Sequence, residues 1–168
     1  DFDIVFEIMV NELVAPSDSG DSEVLVDIGG QYVHLLTNGR PVKSWPASTS
    51  KFGIGFEPGS NKTPTGNFLV AEKIGADAPL WTEFQSRQPT GRIAEPGGEQ
   101  DGILSRILWL DGIDEENANT KSRYIYFHGT NREDLIGTPA SHGCVRLRNA
   151  DIAELFDLIP IGTRVRIA

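Results

Sequence analysis

The chain has 168 residues, 39% of them hydrophobic, and a formal net charge of −9; this length and composition predict one domain with its own core. The acidic balance argues against nucleic acid as a partner, because phosphates demand a basic surface. No run approaches the roughly 18 apolar residues that a membrane-spanning helix requires. Residues 121–168 carry 7 Lys or Arg against 5 Asp or Glu. This balance would suit a small anionic substrate group, but for charge alone an uneven solvated surface is the better explanation.

The first 22 residues contain six acidic side chains and no Lys or Arg. Apolar residues within 5–13 are spaced as one face of a short helix, and residues 16–20 have the composition of a linker. We therefore predict an acidic N-terminal extension or linker over residues 1–22 and one catalytic domain over residues 23–168. An export signal is not visible, because the start lacks a basic segment and acids interrupt its apolar residues.

Most of the domain has the pattern of β-structure. Gly29-Gly30 and Asn38-Gly39 separate β-prone runs and indicate two hairpins. A single helix is predicted from Asn149, a capping residue type, because apolar side chains follow at helical spacing until Pro160. The predicted strands cover residues 24–28, 31–36, 40–45, 66–71, 103–110, 123–127 and 163–167.

The stretch from Lys73 to Gly102 is rich in Gly, Pro and polar residues, and it predicts a long loop. Connections longer than about 12–15 residues are usually functional or disordered. We interpret this loop as a mobile cover over the site, with Trp81 available to line a groove; a simple insertion is the alternative.

The single cysteine, Cys144, lies in the run SHGCVRL at 141–147, and His128 precedes it by 16 positions. A lone thiol forms no internal disulfide, and neighbouring imidazole or guanidinium groups lower the pKa of a thiol. The sequence therefore predicts a reactive thiolate at Cys144 with His128 as its base. The alternative is a buried free cysteine beside a hydrogen-bonded histidine at a strand end.

Other catalytic patterns fit less well. Because His128 precedes Cys144, the papain order does not apply, and neither a caspase-like tract nor a Gly-x-Ser-x-Gly elbow occurs. A zinc site built on His142 and Cys144, with His128 or His34 added, lacks a recognised ligand spacing, so no metal is expected.

The segments 128–130 (HGT) and 141–147 resemble the signature of the L,D-transpeptidase catalytic (YkuD) domain family, whose members rebuild cross-links in bacterial peptidoglycan. Residues 62–68 (KTPTGNF) resemble a second stretch of that family, and the resemblance extends over residues 23–168. It implies a mainly β fold, a mixed β-sandwich with one clear late helix, and no cofactor.

The resemblance also implies roles for individual residues. Cys144 is the acyl-accepting nucleophile, and His128 is the general base and later the general acid. The carbonyl of Gly129 orients the imidazole, and the N–H groups of Gly143 and Cys144 form part of an oxyanion hole. Supporting or substrate-binding roles fall to Thr130, Ser141, His142 and Arg146.

The implied reaction is acyl transfer through a thioester on a peptidoglycan tetrapeptide stem. The terminal D-alanine leaves, and an amine of a second stem or of a lipoprotein accepts the acyl group; carbapenems acylate the same thiol. The alternatives are an L,D-carboxypeptidase or amidase that hydrolyses the thioester, and a non-catalytic wall-binding module. The implied location is the bacterial cell envelope, in the periplasm.

Overall fold

The computed structural model describes residues 22–168, so the part of the predicted extension at residues 1–21 lies outside the described residues. Two short 3-10 helices, Lys121–Arg123 and Glu133–Leu135, accompany the main elements. Those elements are β1 (Ser22–Asp27), β2 (Tyr32–Thr37), β3 (Arg40–Pro46), β4 (Gly66–Ile74), β5 (Thr82–Gln85), β6 (Gln88–Ile93), β7 (Ile103–Gly112), β8 (Tyr126–Gly129), β9 (Val145–Leu147), α1 (Asn149–Leu158) and β10 (Arg164–Ile167).

The strands form one mixed sheet in the order β3-β2-β1-β10-β4-β7-β5-β6. The sheet branches at β7, because β8 also pairs with β7 and β9 pairs with β8. The β1–β10 and β8–β9 pairs are parallel, and the remaining strand pairs are antiparallel. The prediction of a mainly β fold with a mixed sheet and one late helix is confirmed.

One cluster of buried side chains fills the space between the branches of the sheet and α1. Its members come from β1, β2, β3, β4, β7, β8, β9, β10, the helix and adjoining residues. Ile152 and Leu155 of α1 are fully buried, as the helical spacing predicts, and burying such a side chain contributes about 1.5–3 kcal/mol. The helix packs on β7 and β8 and so supports β8 from the core side.

The prediction of an irregular loop over residues 73–102 is wrong in its middle. There β5 and β6 form a hairpin whose two-residue turn, Ser86 and Arg87, has φ of 48° and 64°. Residues other than Gly, Asn and Asp seldom occupy this region, so the sequence carried no hairpin signal. Buried Phe84 packs against Ile107 and attaches the hairpin to the sheet.

Three local boundaries also differ from the sequence prediction. β8 begins at Tyr126 rather than at residue 123, because a 3-10 helix precedes it and Tyr124 has a left-handed φ of 58°. The three-residue β9 was not predicted, since it is too short to show a pattern. Asn149 is the first residue of α1 rather than its cap; Arg148 occupies the N-cap position without a side-chain hydrogen bond.

Within residues 22–168, no helix has both the length and the apolar character needed to cross a lipid bilayer.

Candidate active site

Cys144 stands at the end of a tight turn that leads into β9. Ser141 Oγ donates to the Cys144 carbonyl at 2.7 Å and accepts from the Gly143 N–H at 3.3 Å. Gly143 has a φ of 121°, and a Cβ there would lie 3.2 Å from the Lys62 carbonyl, so the turn requires glycine. Thr63 Oγ1 donates to the Gly143 carbonyl at 3.0 Å and ties the KTPTGNF stretch to this turn.

The Cys144 thiol is partly buried and bonded to the main chain. Its Sγ accepts from the Tyr126 N–H and donates to the Tyr124 carbonyl, each at 3.4 Å. Burial raises the pKa of the thiol to about 12, although the Tyr126 N–H and the charges of Arg146 and Arg123 act in the opposite direction. In this environment the neutral thiol is favoured over the thiolate, because the cost of desolvating the charge exceeds the attraction of the cationic groups.

His128 lies on β8 and is only 2% exposed. Its Nδ1 is 2.6 Å from the Gly129 carbonyl; a carbonyl only accepts, so we assign the proton to Nδ1, which leaves Nε2 as the basic nitrogen. Burial lowers the pKa of the imidazole, while Asp101 and the bond to Gly129 raise it and Arg146 lowers it further. The imidazole is thus held neutral near pH 7, as a general base must be.

The predicted base lies on β8, and the predicted nucleophile immediately precedes β9, the parallel neighbour of β8. The register pairs His128 with Arg146, and Cys144 precedes β9 and contacts the main chain at Tyr126. Among residues 22–168, no hydrogen bond joins Sγ to the imidazole in this state. Catalytic hydrogen bonds are often long or absent before substrate binds and tighten in the complex.

A bulge in β7 lies beside His128. Leu104 pairs with Gly129, but Ile107 is the next partner and faces His128, so two residues of β7 lie outside the pairing. One of them, fully buried Ser105, has a φ of 71°. Bulges next to active sites change the direction of side chains. This bulge shifts the register, so that His128 lies opposite Ile107 of β7.

Asn149 holds the bulge and the end of β8 together. This fully buried side chain accepts from Ser105 Oγ at 2.6 Å and donates to the Thr130 carbonyl at 2.8 Å and to Glu133 Oε2 at 3.0 Å. A Cβ on Gly129 would collide with the Asn149 side chain, which explains the glycine after His128. Sequence reasoning gave Asn149 only a capping role and missed this one.

Arg146 and His142 meet at a carboxylate that the sequence did not single out. Buried Arg146 has Nη1 2.8 Å from Asp101 Oδ1, and its Nη2 donates to Ser48 Oγ at 3.2 Å. The exposed His142 has Nδ1 2.9 Å from Asp101 Oδ2. Burial alone would raise the pKa of Asp101, but the His128 ring when protonated, the Arg146 guanidinium and the hydrogen bonds from His142 and Arg146 lower it below its usual value.

Of the remaining residues considered, Thr130 bonds the main chain and His34 lies outside the site. Thr130 is buried, and its Oγ1 accepts from the Arg132 N–H at 3.0 Å. His34 lies on β2 and bonds Ser44 of β3 at 2.6 Å, outside this arrangement. Residues 22–168 contain no group of three or more His, Cys, Asp or Glu side chains that could hold a metal ion.

The tip of the β5–β6 hairpin reaches the strands that flank the thiol. The Arg87 guanidinium lies 5.0 Å from the ring centroids of both Trp109 and Tyr124. Its Nη1 donates to the Tyr126 hydroxyl at 3.3 Å, and Cys144 packs against the apolar cluster that contains Tyr126. The hairpin therefore forms one wall of the candidate site.

The arrangement suits nucleophilic acyl transfer. It combines a neutral thiol, a neutral imidazole whose tautomer is fixed, and a turn with main-chain N–H donors. The Gly143 N–H bonds Ser141 Oγ in this state, so that predicted oxyanion donor is turned toward its own loop.

Known proteins are similar to this chain in sequence and in fold. ErfK/SrfK of Escherichia coli K12, described as a probable L,D-transpeptidase, is 32% identical over 123 residues, which are 69% of this chain and 36% of that protein. YkuD of Bacillus subtilis is 28% identical over 144 residues, 86% of this chain and 64% of that protein. The chain thus spans less than two thirds of either relative.

A solved L,D-transpeptidase from Xylanimonas cellulosilytica superposes with a TM-score of 0.58 at 24% identity, covering 92% of this chain and 64% of that one; this likeness concerns the fold. The L,D-transpeptidase catalytic domain pattern matches residues 21–167, nearly the whole chain. The chain therefore belongs to the L,D-transpeptidase catalytic domain (YkuD) family.

Proposed function

We propose that this protein is a cysteine-dependent L,D-transpeptidase that acts on the tetrapeptide stems of peptidoglycan in the bacterial cell envelope. One observation carries the proposal beyond family membership. The His128 imidazole is held neutral, with Nδ1 bonded to the Gly129 carbonyl, on the strand beside the turn that presents the single thiol. A group that only packed in the core would need neither a fixed tautomer nor a glycine-requiring turn beside it.

In this mechanism His128 Nε2 takes the proton of Cys144 as Sγ attacks the carbonyl carbon of the third residue of the stem, whose bond to the D-alanine nitrogen then breaks. The raised thiol pKa means that proton transfer accompanies attack rather than preceding it. Main-chain N–H groups of Gly143 and Cys144 receive the developing oxyanion. The imidazolium then protonates the amine of D-alanine, which leaves, and a thioester remains.

The second half reaction uses the same groups in reverse. A side-chain amine of another stem, or of a lipoprotein, attacks the thioester while His128 removes its proton, and Cys144 regains a proton from the imidazolium. No cofactor takes part. If water is the acceptor, the product is the free tripeptide and the enzyme is an L,D-carboxypeptidase.

Mass spectrometry on a purified disaccharide-tetrapeptide, with and without an amine acceptor, tests the proposal. We expect release of D-alanine, an acyl adduct on Cys144 and a cross-linked product that requires the amine. Cys144→Ala should lower turnover by several orders of magnitude while leaving the circular dichroism spectrum unchanged.

Each other outcome has a definite meaning. Substantial D-alanine release by folded Cys144→Ala would remove the thiol from the nucleophile role. Tripeptide without cross-linked product would identify a hydrolase, and the absence of both adduct and product would favour a wall-binding module.

A further inference from the structure

Asp101 lies in the segment between β6 and β7, outside the stretches 62–68, 128–130 and 141–147 that resemble the family signature. We propose that Asp101 is a positioning residue of the catalytic centre: its carboxylate joins His142 to the buried Arg146 guanidinium and offsets the positive charge that faces His128. The inference rests on the proposed function only in naming His128 as the base.

The geometry of Asp101 is that of a bridge. One oxygen lies 2.8 Å from Arg146 Nη1 and the other lies 2.9 Å from His142 Nδ1. Charge-assisted bonds of this length hold both partners firmly. Because His142 and Arg146 flank Cys144 in sequence, Asp101 fixes the turn of the nucleophile from both sides.

Arg146 makes a compensating carboxylate necessary. The side chain is 2% exposed, its Nε has no hydrogen-bond partner within residues 22–168, and its other contact is the neutral Ser48 hydroxyl. The strand register places this residue beside His128. Without Asp101, an uncompensated buried cation would oppose formation of the imidazolium.

Three charged residues act on the His128 imidazole or on the Cys144 thiol. Asp101 and Arg146 act on the His128 imidazole from the loop and from β9, and its β7 partner, Ile107, is apolar. Asp101, Arg146 and Arg123 act on the Cys144 thiol. Asp101 favours the imidazolium and disfavours the thiolate, whereas Arg146 does the reverse.

Loss of the carboxylate charge should therefore have two opposite effects. In Asp101→Asn the thiolate becomes easier to form, so alkylation of Cys144 by iodoacetamide at pH 9 should be about tenfold faster, which corresponds to a thiol midpoint about one pH unit lower. The imidazole becomes a weaker base, so acylation by the tetrapeptide or by a carbapenem at pH 7 should be about tenfold slower.

Disordering of the turn would also expose Cys144 and speed its alkylation, so a second measurement separates the two causes. If the charge of Asp101 is responsible, Asp101→Asn keeps the wild-type amide hydrogen-exchange protection of residues 141–147, and loss of that protection overturns the proposal. Asp101→Glu keeps the charge and should stay within about threefold of the wild type in both assays. Glu99→Gln removes an exposed charge two residues away and is the matched control.

The alkylation assay needs no substrate, so it reports on Asp101 even if the proposed function is wrong. Faster alkylation with slower acylation supports the proposal. Slower or unchanged alkylation in folded Asp101→Asn overturns it, as does the same response in Glu99→Gln.

Discussion

At the scale of single residues, burial keeps the Cys144 thiol protonated. Attack by the sulfur therefore requires a residue that accepts its proton. His128 is buried with a fixed tautomer, whereas His142 is exposed and turned toward Asp101. His142 lies within the turn that ends at Cys144, whereas His128 lies on the neighbouring strand β8.

We predict that His128→Ala lowers the rate of Cys144 acylation by a carbapenem by about 10²–10⁴-fold, the usual contribution of a general base. His142→Ala should cost far less, because its ring only supports Asp101. Intact-protein mass spectrometry over a time course measures both rates. A larger loss in His142→Ala would reverse the assignment.

Thr63 is the residue through which the KTPTGNF stretch supports the nucleophile. Its hydroxyl accepts from the Ser50 N–H and donates to the Gly143 carbonyl, both at 3.0 Å, and it is fully buried. Thr63→Val keeps the shape but leaves both main-chain groups unpaired, so it should cost about 1–3 kcal/mol of unfolding free energy.

Urea denaturation followed by tryptophan fluorescence checks the Thr63 prediction. Thr65→Val, two residues along, is the control and should change the unfolding free energy by less than about 0.5 kcal/mol. Equal losses of unfolding free energy in Thr63→Val and Thr65→Val would contradict the role assigned to the Thr63 hydroxyl.

At the scale of elements, periodicity was informative where one face of an element meets the core. α1 was predictable for that reason, and the two hairpins at the start of the domain were predictable from their Gly-Gly and Asn-Gly turns. The β5–β6 hairpin was not, because its turn uses Ser86 and Arg87 at positive φ and its strands are short. β6 is exposed along its whole length, so it has no apolar alternation to read.

The hairpin has a testable role in excluding water. Arg87 attaches its tip to Trp109 and Tyr124, and Arg87→Ala should loosen this wall beside the thioester. We expect a higher ratio of hydrolysed to cross-linked product, with the rate of thioester formation little changed.

Product analysis by mass spectrometry measures this ratio. Arg92→Ala, an exposed change on β6, is the control and should leave the ratio at its wild-type value. The same ratio in Arg87→Ala and the wild type would show that the hairpin does not influence the choice between hydrolysis and cross-linking.

At the scale of the whole molecule, the candidate site is a polar interior assembled from distant parts of the chain. The residues of the two motif segments could be predicted because they are contiguous and resemble a family signature. Asp101, Ser105 and Asn149 could not, because their partners are brought to them by strand pairing and by the bulge in β7, which a linear pattern does not reveal.

Two buried histidines should make the stability of the fold depend on pH. Burial lowers the pKa of His34 and of His128 below the ordinary value of 6.5. The unfolded chain therefore takes up these protons first, so the stabilisation is complete above pH 6.5 and is lost as the pH falls toward the folded pKa values.

We expect the free energy of unfolding to fall by at most about 1.4 kcal/mol per pH unit for each histidine in this window. Urea titrations at a series of pH values between 8 and 5 (roughly the window set by these groups) measure the slope. His34→Gln should reduce it, and an unchanged slope in that variant would contradict the assignment.

The raised pKa of Cys144 has a further consequence for the lifetime of the enzyme. Oxidation by peroxide starts from the thiolate, and the chain holds a single cysteine, so no second thiol is present to resolve a sulfenic acid. Because burial keeps this thiol protonated, hydrogen peroxide should consume it more slowly than it consumes a free cysteine peptide. The desolvation that makes His128 necessary for attack thus also preserves the sulfur in its reduced form between one substrate and the next.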